Sequence, residues 1–129
     1  MGADEIAAIR PALRELCQAE REDPRRPEGG GWCAHFTVSR KKKLWVQVVS
    51  DCVNFYYPHP DDPTTRLEGL EAPLLPGMAC ADWEARKYAT FGFETFDLDK
   101  LARLVDWLFV VLYETGAAYP LDVEMYRVA

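Results

Sequence analysis

The stretch FDLDKLARLVDWLFVVLYETG, residues 96–116, decides how this chain folds. Its first half is an amphipathic helix, in which Leu101, Leu104 and Leu108 recur at helical spacing on one side. Its second half, residues 107–113, is apolar on every side. A single sheet covers one face of a helix, so the other apolar side chains of this half need a second cover.

Both ends of this helix carry sequence signals. Asp97 is a good N-cap residue, because its short carboxylate accepts from free backbone N–H groups in the first turn. Phe96 and Leu101 are spaced as a hydrophobic staple around that cap. Gly116 is placed to end the helix in a left-handed conformation.

Two covers for the outward side of the second half agree with the sequence. One is the C-terminal tail, whose Leu121, Val123 and Met125 need a partner of their own. The other is a second copy of the chain. Burying a large apolar side chain contributes ~1.5–3 kcal/mol, so we predict a homodimer. Its expected interface residues are Trp107, Val110, Val111 and Tyr113.

Composition limits the class of protein. A chain of 129 residues with 49% hydrophobic and 28% charged residues fits one globular domain spanning residues 1–129. A net charge of −6 disfavours nucleic acid and anionic membranes as partners. The chain begins with acidic residues instead of a signal peptide, and no apolar run approaches the ~20 residues of a membrane span. Four widely spaced cysteines favour reduced thiols, and we predict a cytoplasmic protein.

The remaining pattern predicts an α+β fold. A helix comes first, and strands follow over residues 32–38, 44–49 and 52–57, with a charged turn at Arg40–Lys43. One long bent strand over residues 44–57 is the alternative to a hairpin. Later segments read as short helical turns within 64–84, a strand within 85–95 and an edge strand in the tail at 121–126. We therefore predict an antiparallel meander with the N-terminal helix and the long apolar C-terminal helix on one face.

Catalytic or metal chemistry finds little support in the spacing of the residues. Cys33 and His35 share a strand face, but zinc sites normally pair close spacings such as Cys-x-x-Cys. The acids of the middle region fit turns and a solvated surface as well as acid–base work; they are Asp61, Asp62, Glu68, Glu71, Asp82 and Glu84. We predict no enzyme, no metal and no cofactor.

Aromatic residues are the strongest binding signal. Trp45, Tyr56 and Tyr57 are out of phase with the predicted core face, and with Trp83 they form a candidate groove; packing against the middle loop is the alternative. Such a groove takes a peptide by side-chain burial or by strand addition. The expected partners are therefore a second copy and a protein or peptide client.

Three segments resemble a known family, the type III secretion chaperone-like fold and in particular its uncharacterised bacterial branch of TY-Chap-like domains. The segments are Leu44–Val49, Leu67–Pro73 and Phe96–Leu104, and the likeness extends over residues 32–116. The resemblance implies a domain that is not an enzyme. It also implies a homodimer that holds an unfolded segment of a client. The middle region departs from the pattern, since it is rich in proline where the secretion chaperones have a dimerisation helix.

The leading hypothesis is thus a chaperone-like or adaptor domain that binds protein through an aromatic sheet surface. One alternative is a small-molecule-binding or hydrolytic domain with a pocket between residues 64–84 and the sheet. Another is an immunity-type protein for a bacterial toxin.

Overall fold

The computed structural model describes residues 3–22, 31–38, 41–116 and 119–127. Within these residues it has three α-helices and a six-stranded sheet, which confirms the α+β class. In chain order the elements are α1 (Ala3–Glu22), β1 (Trp32–Val38), β2 (Lys41–Val48), β3 (Cys52–Tyr56), α2 (Pro63–Gly69), β4 (Ala79–Glu84), β5 (Tyr88–Gly92), α3 (Leu98–Trp107), a π-helical turn (Leu108–Leu112) and β6 (Leu121–Arg127).

Every pair of neighbouring strands is antiparallel, and the order across the sheet is β4-β5-β3-β2-β1-β6. The three consecutive strands β1, β2 and β3 form the predicted meander. The tail strand β6 returns to pair with β1 along its whole length, from Trp32 opposite Arg127 to Val38 opposite Leu121. The predicted edge strand in the tail is therefore confirmed.

One face of this sheet forms the core. Phe36 lies opposite Val46, and Val46 lies opposite Phe55, so a buried row crosses the three central strands. The two long helices pack together, and α1 also contacts β1 and β6. Strand residues of this face and helix residues form one hydrophobic cluster, which includes Ile9, Leu13, Leu101 and Leu104.

The segment between β2 and β3 is a tight hairpin, so the long-strand alternative is wrong. Val49 N–H donates to the carbonyl of Cys52 at 3.0 Å and closes a loop made of Ser50 and Asp51. The charged turn is shorter than predicted, because β2 begins at Lys41 and takes in the lysines up to Lys43. Arg40 lies outside the described residues.

The middle region contains the predicted helical turn and also a strand that the sequence did not indicate. Asp62 caps α2 by accepting from Thr64 N–H at 2.9 Å, with Pro63 as the first helical residue. Strand β4 follows at the edge of the sheet, with a register shift between Cys80 and Asp82. It has no apolar–polar alternation, because nearly all of its residues are exposed.

The signal at the start of the C-terminal helix is confirmed, because the Asp97 carboxylate accepts from Lys100 N–H at 3.1 Å. The predicted end is wrong: the helix ends at Leu112, and Glu114 (φ +55°), not Gly116, is the first left-handed residue beyond it. Helical hydrogen bonding widens to a π turn after Trp107, where Tyr113 N–H donates to the carbonyl of Leu108. Arg10 of α1 forms an ion pair with Asp99 at 3.1 Å, which links α1 to the first turn of α3.

Two neighbouring aspartates allow a matched test of the cap. We expect Asp97→Ala to lower the free energy of unfolding by ~1 kcal/mol, because the first turn loses its side-chain acceptor. Asp99→Ala leaves the cap in place and removes an exposed ion pair, whose contribution is ~0.2–1 kcal/mol, so it serves as the control. Urea denaturation of both variants measures the difference. A smaller loss for Asp97→Ala than for Asp99→Ala contradicts the assignment of the cap.

Candidate binding surface

The second face of the sheet carries a continuous row of polar side chains, one from each strand. Cross-strand neighbours share a face, and the register runs Glu124–His35–Gln47–Asn54–Thr90–Asp82 from β6 to β4. We call these six residues the polar row and the sheet side that holds them the polar face. The four central members are half-buried and the acidic ends are exposed.

Hydrogen bonds join the central members of the row. Thr90 Oγ1 donates to Asn54 Oδ1 at 2.8 Å, and Asn54 Nδ2 donates to Gln47 Oε1 at 3.3 Å. Gln47 Nε2 lies 3.1 Å from His35 Nδ1 and donates to the Tyr126 hydroxyl at 3.0 Å. Side chains from five strands are thus connected across the sheet.

Two of the predicted binding residues lie beside this row. Trp45 and Tyr56 adjoin the paired residues Val46 and Phe55, and both are half-buried on the polar face. The Tyr113 hydroxyl lies 2.6 Å from the carbonyl oxygen of Tyr56 and 3.0 Å from that of Trp45. Its single proton is shared between two strands at the point where their pairing ends, and this fixes the backbone under both aromatic side chains.

The other two predicted binding residues lie elsewhere. Tyr57 is 0% exposed in the core, and its hydroxyl donates to the carbonyl of Asp61 at 2.7 Å. Trp83 on edge strand β4 is 38% exposed and packs edge-on against the Tyr57 ring at 6.2 Å. The four aromatic residues therefore do not form the single groove that the sequence suggested, because Tyr57 follows the alternation of β3 onto the core face.

The residues of the predicted homodimer interface are largely covered within one chain. Trp107 is 5% exposed, whereas Val110, Val111 and Tyr113 are half-buried. Tyr119, which precedes the tail strand, stacks on Phe109 with ring centroids 5.0 Å apart. The apolar run thus has covers inside the chain, and the homodimer stays a prediction.

Three acids of the middle region, Asp61, Asp82 and Glu84, have structural partners. Asp61 accepts from Arg66 Nε at 2.9 Å, which lowers the pKa of its carboxyl group. Asp82 accepts from the Tyr88 hydroxyl at 2.6 Å, and Glu84 pairs with Lys87 at 2.7 Å. These contacts give each of the three carboxylates a structural role in a turn or at the edge of the sheet.

Three of the cysteines, Cys33, Cys52 and Cys80, lie in environments that favour the protonated thiol. All four are free of disulfides. Burial raises the pKa of Cys33, and burial together with Asp51 raises the pKa of Cys52 to about 11. Since the thiolate is the nucleophile and the metal ligand, neither site is activated for such chemistry. Among the described residues, no three His, Cys, Asp or Glu side chains come together as a metal site.

Core side chains fill part of the region between residues 64–84 and the sheet, where the alternative function would need a pocket. Leu67 of α2 and Leu75 of the following loop are buried and belong to the hydrophobic core. Helix α2 also contacts β4. In the described part of the chain, no helix has the length and apolar composition needed to cross a membrane.

Sequence reasoning missed the polar row. A signal was present, because Gln47 interrupts the apolar run of residues 44–49, and His35, Asn54 and Thr90 each lie between apolar neighbours. Their alignment depends on the register and on the order of the strands, which no local pattern supplies. Comparison with models of known protein families gives no match, and neither characterised proteins nor solved structures give a significant one.

Tyr113→Phe tests the support of the aromatic pair. We expect the free energy of unfolding to fall by ~1–3 kcal/mol, because two strand carbonyls lose a donor at a buried hydroxyl. Tyr88→Phe is the matched control, since its hydroxyl bonds an exposed carboxylate, and we expect a change within ~0.5 kcal/mol. Equal effects of the two changes in urea denaturation argue against this role of Tyr113.

Proposed function

We propose that this protein is a protein-binding domain that engages a segment of its partner on the polar face. One observation carries the proposal: the half-buried pair Trp45 and Tyr56 lies beside the polar row on a backbone fixed by Tyr113. Large aromatic anchors next to hydrogen-bonding side chains are the usual composition of a binding centre between proteins.

The aromatic pair supplies contact area. Trp and Tyr side chains have two χ angles each, so they bury much surface at little conformational-entropy cost. Tyr56 is further held by the Tyr113 ring, with centroids 6.1 Å apart. Preorganisation of this kind reduces the ordering cost of association.

The polar row supplies directional contacts and a charge preference. The amide groups of Gln47 and Asn54 are half-buried at its centre. Glu124 ends the row on β6 and Asp82 ends it on β4, and both are exposed. Acids at both ends favour a partner segment with basic residues on either side of an apolar centre.

Site-specific photo-crosslinking tests the proposal in the protein's own cells. A photoreactive residue at position 45 or 56 is expected to give an adduct with the same partner protein, mapped by mass spectrometry to one basic–apolar segment. The matched control is position 70, because Leu70 is an exposed apolar residue that lies outside the polar face. Adducts of equal yield at position 70, or none at positions 45 and 56, contradict the proposal.

A further inference from the structure

The hydrogen bonds of the polar row all run in one direction. Each side chain donates towards β6: Thr90 to Asn54, Asn54 to Gln47, and Gln47 to Tyr126. The amide of Gln47 has two hydrogens, and its nitrogen lies within bonding distance of Tyr126 and of His35 Nδ1. If one hydrogen is directed to each, His35 Nδ1 is the acceptor, which requires the neutral imidazole with its proton on Nε2.

The same side chains allow the opposite direction without losing a bond. If Gln47 turns its amide, Oε1 accepts from His35 and from the Tyr126 hydroxyl, and its NH₂ group donates to Asn54. Asn54 then presents its own NH₂ group to Thr90, whose hydroxyl is both donor and acceptor. Two arrangements therefore make the same number of bonds among the same five side chains.

We infer that His35 is a pH-sensitive switch that selects between these two arrangements. A protonated imidazole carries a hydrogen on Nδ1 and meets the N–H of Gln47, so protonation turns Gln47 and, through it, Asn54 and Thr90. Histidine is the side chain whose charge ordinarily changes between pH 5 and 8. The consequence for a bound partner rests on the proposed function: lowering the pH exchanges donors for acceptors along the binding face.

The groups around His35 fit this role. On β6, Glu124 is its direct cross-strand neighbour, Asp122 lies one pair along, and the Tyr126 ring is 6.2 Å away. On β2 its neighbour is the uncharged Gln47. On its own strand, Cys33 and Thr37 lie two positions away on the same face.

Tyr126 and Cys33 keep their protons over the range in which histidine titrates. Burial, followed by the hydrogen bond to Cys33, raises the pKa of Tyr126 to about 12. Burial also raises the pKa of the Cys33 thiol. Charge changes among these neighbours between pH 5 and 8 therefore centre on His35, while Glu124 and Asp122 supply negative charge on the adjacent strand.

Nuclear magnetic resonance of the whole chain between pH 8 and pH 5 tests the switch. At pH 8 we expect His35 as the Nε2–H tautomer. As the pH falls, the side-chain amide signals of Gln47 and Asn54 are expected to shift with the same midpoint as the His35 ring. His35→Gln is expected to abolish the shift of the Asn54 amide, whereas His59→Gln, which changes the other histidine, is expected to leave it intact.

Three results overturn the inference: a His35 ring protonated on Nδ1 at pH 8, a His35 ring that stays neutral at pH 5, or Asn54 signals that do not follow His35. All three can be observed on the wild-type protein, so they decide even if a variant fails to fold. If crosslinking at position 45 occurs but the Asn54 amide signals do not shift with pH, the switch is wrong and the proposed function stands. If the Asn54 amide signals follow His35 but no crosslinks form at position 45, the switch stands and the proposed function is wrong.

Discussion

Strand register is the constraint on which the rest of this structure depends. Successive side chains of a strand point to opposite faces, so a shift of one residue would move Phe36, Val46 and Phe55 from the core to the polar face. Only one register in each strand pair places these residues together beneath the helices. The same register aligns the polar side chains on the other face. The buried row and the polar row are thus two results of one pairing pattern.

The second half of the C-terminal helix is apolar on every side because other parts of the chain cover it on more than one side. Its residues pack into the core with the sheet on one side, α1 contacts α3, and Tyr119 stacks on Phe109. Asp106, in the first half, is fully buried and accepts from the Tyr119 hydroxyl at 2.9 Å. The segment before β6 therefore also covers part of this helix. Beyond its end, Tyr113 extends to the carbonyls of β2 and β3 and ties the helix to the aromatic pair.

Local patterns predicted the elements whose signals are local. Alternation predicted β1, helical spacing and Asp97 predicted α3, and the tail pattern predicted β6. The sequence does not predict β4, because an edge strand with both sides exposed has no apolar–polar alternation. The charge of the lysines at 41–43 favours a turn, yet these residues lie in β2. The intrachain cover of Trp107 and the alignment of His35 with Gln47 and Asn54 depend on contacts between distant segments, and these lie beyond single-sequence patterns.

The central claim is that the polar row behaves as one unit across the sheet. Gln47 and Thr90 lie two strands apart, roughly 10 Å from strand spacing, and share Asn54 as their only link in the row. A double-mutant cycle of Gln47→Ala and Thr90→Ala, measured by urea denaturation, tests the claim most directly. The account predicts that the double variant departs from the sum of the single variants by more than ~0.5 kcal/mol. Additivity to within ~0.5 kcal/mol, as expected of independent sites, would contradict it.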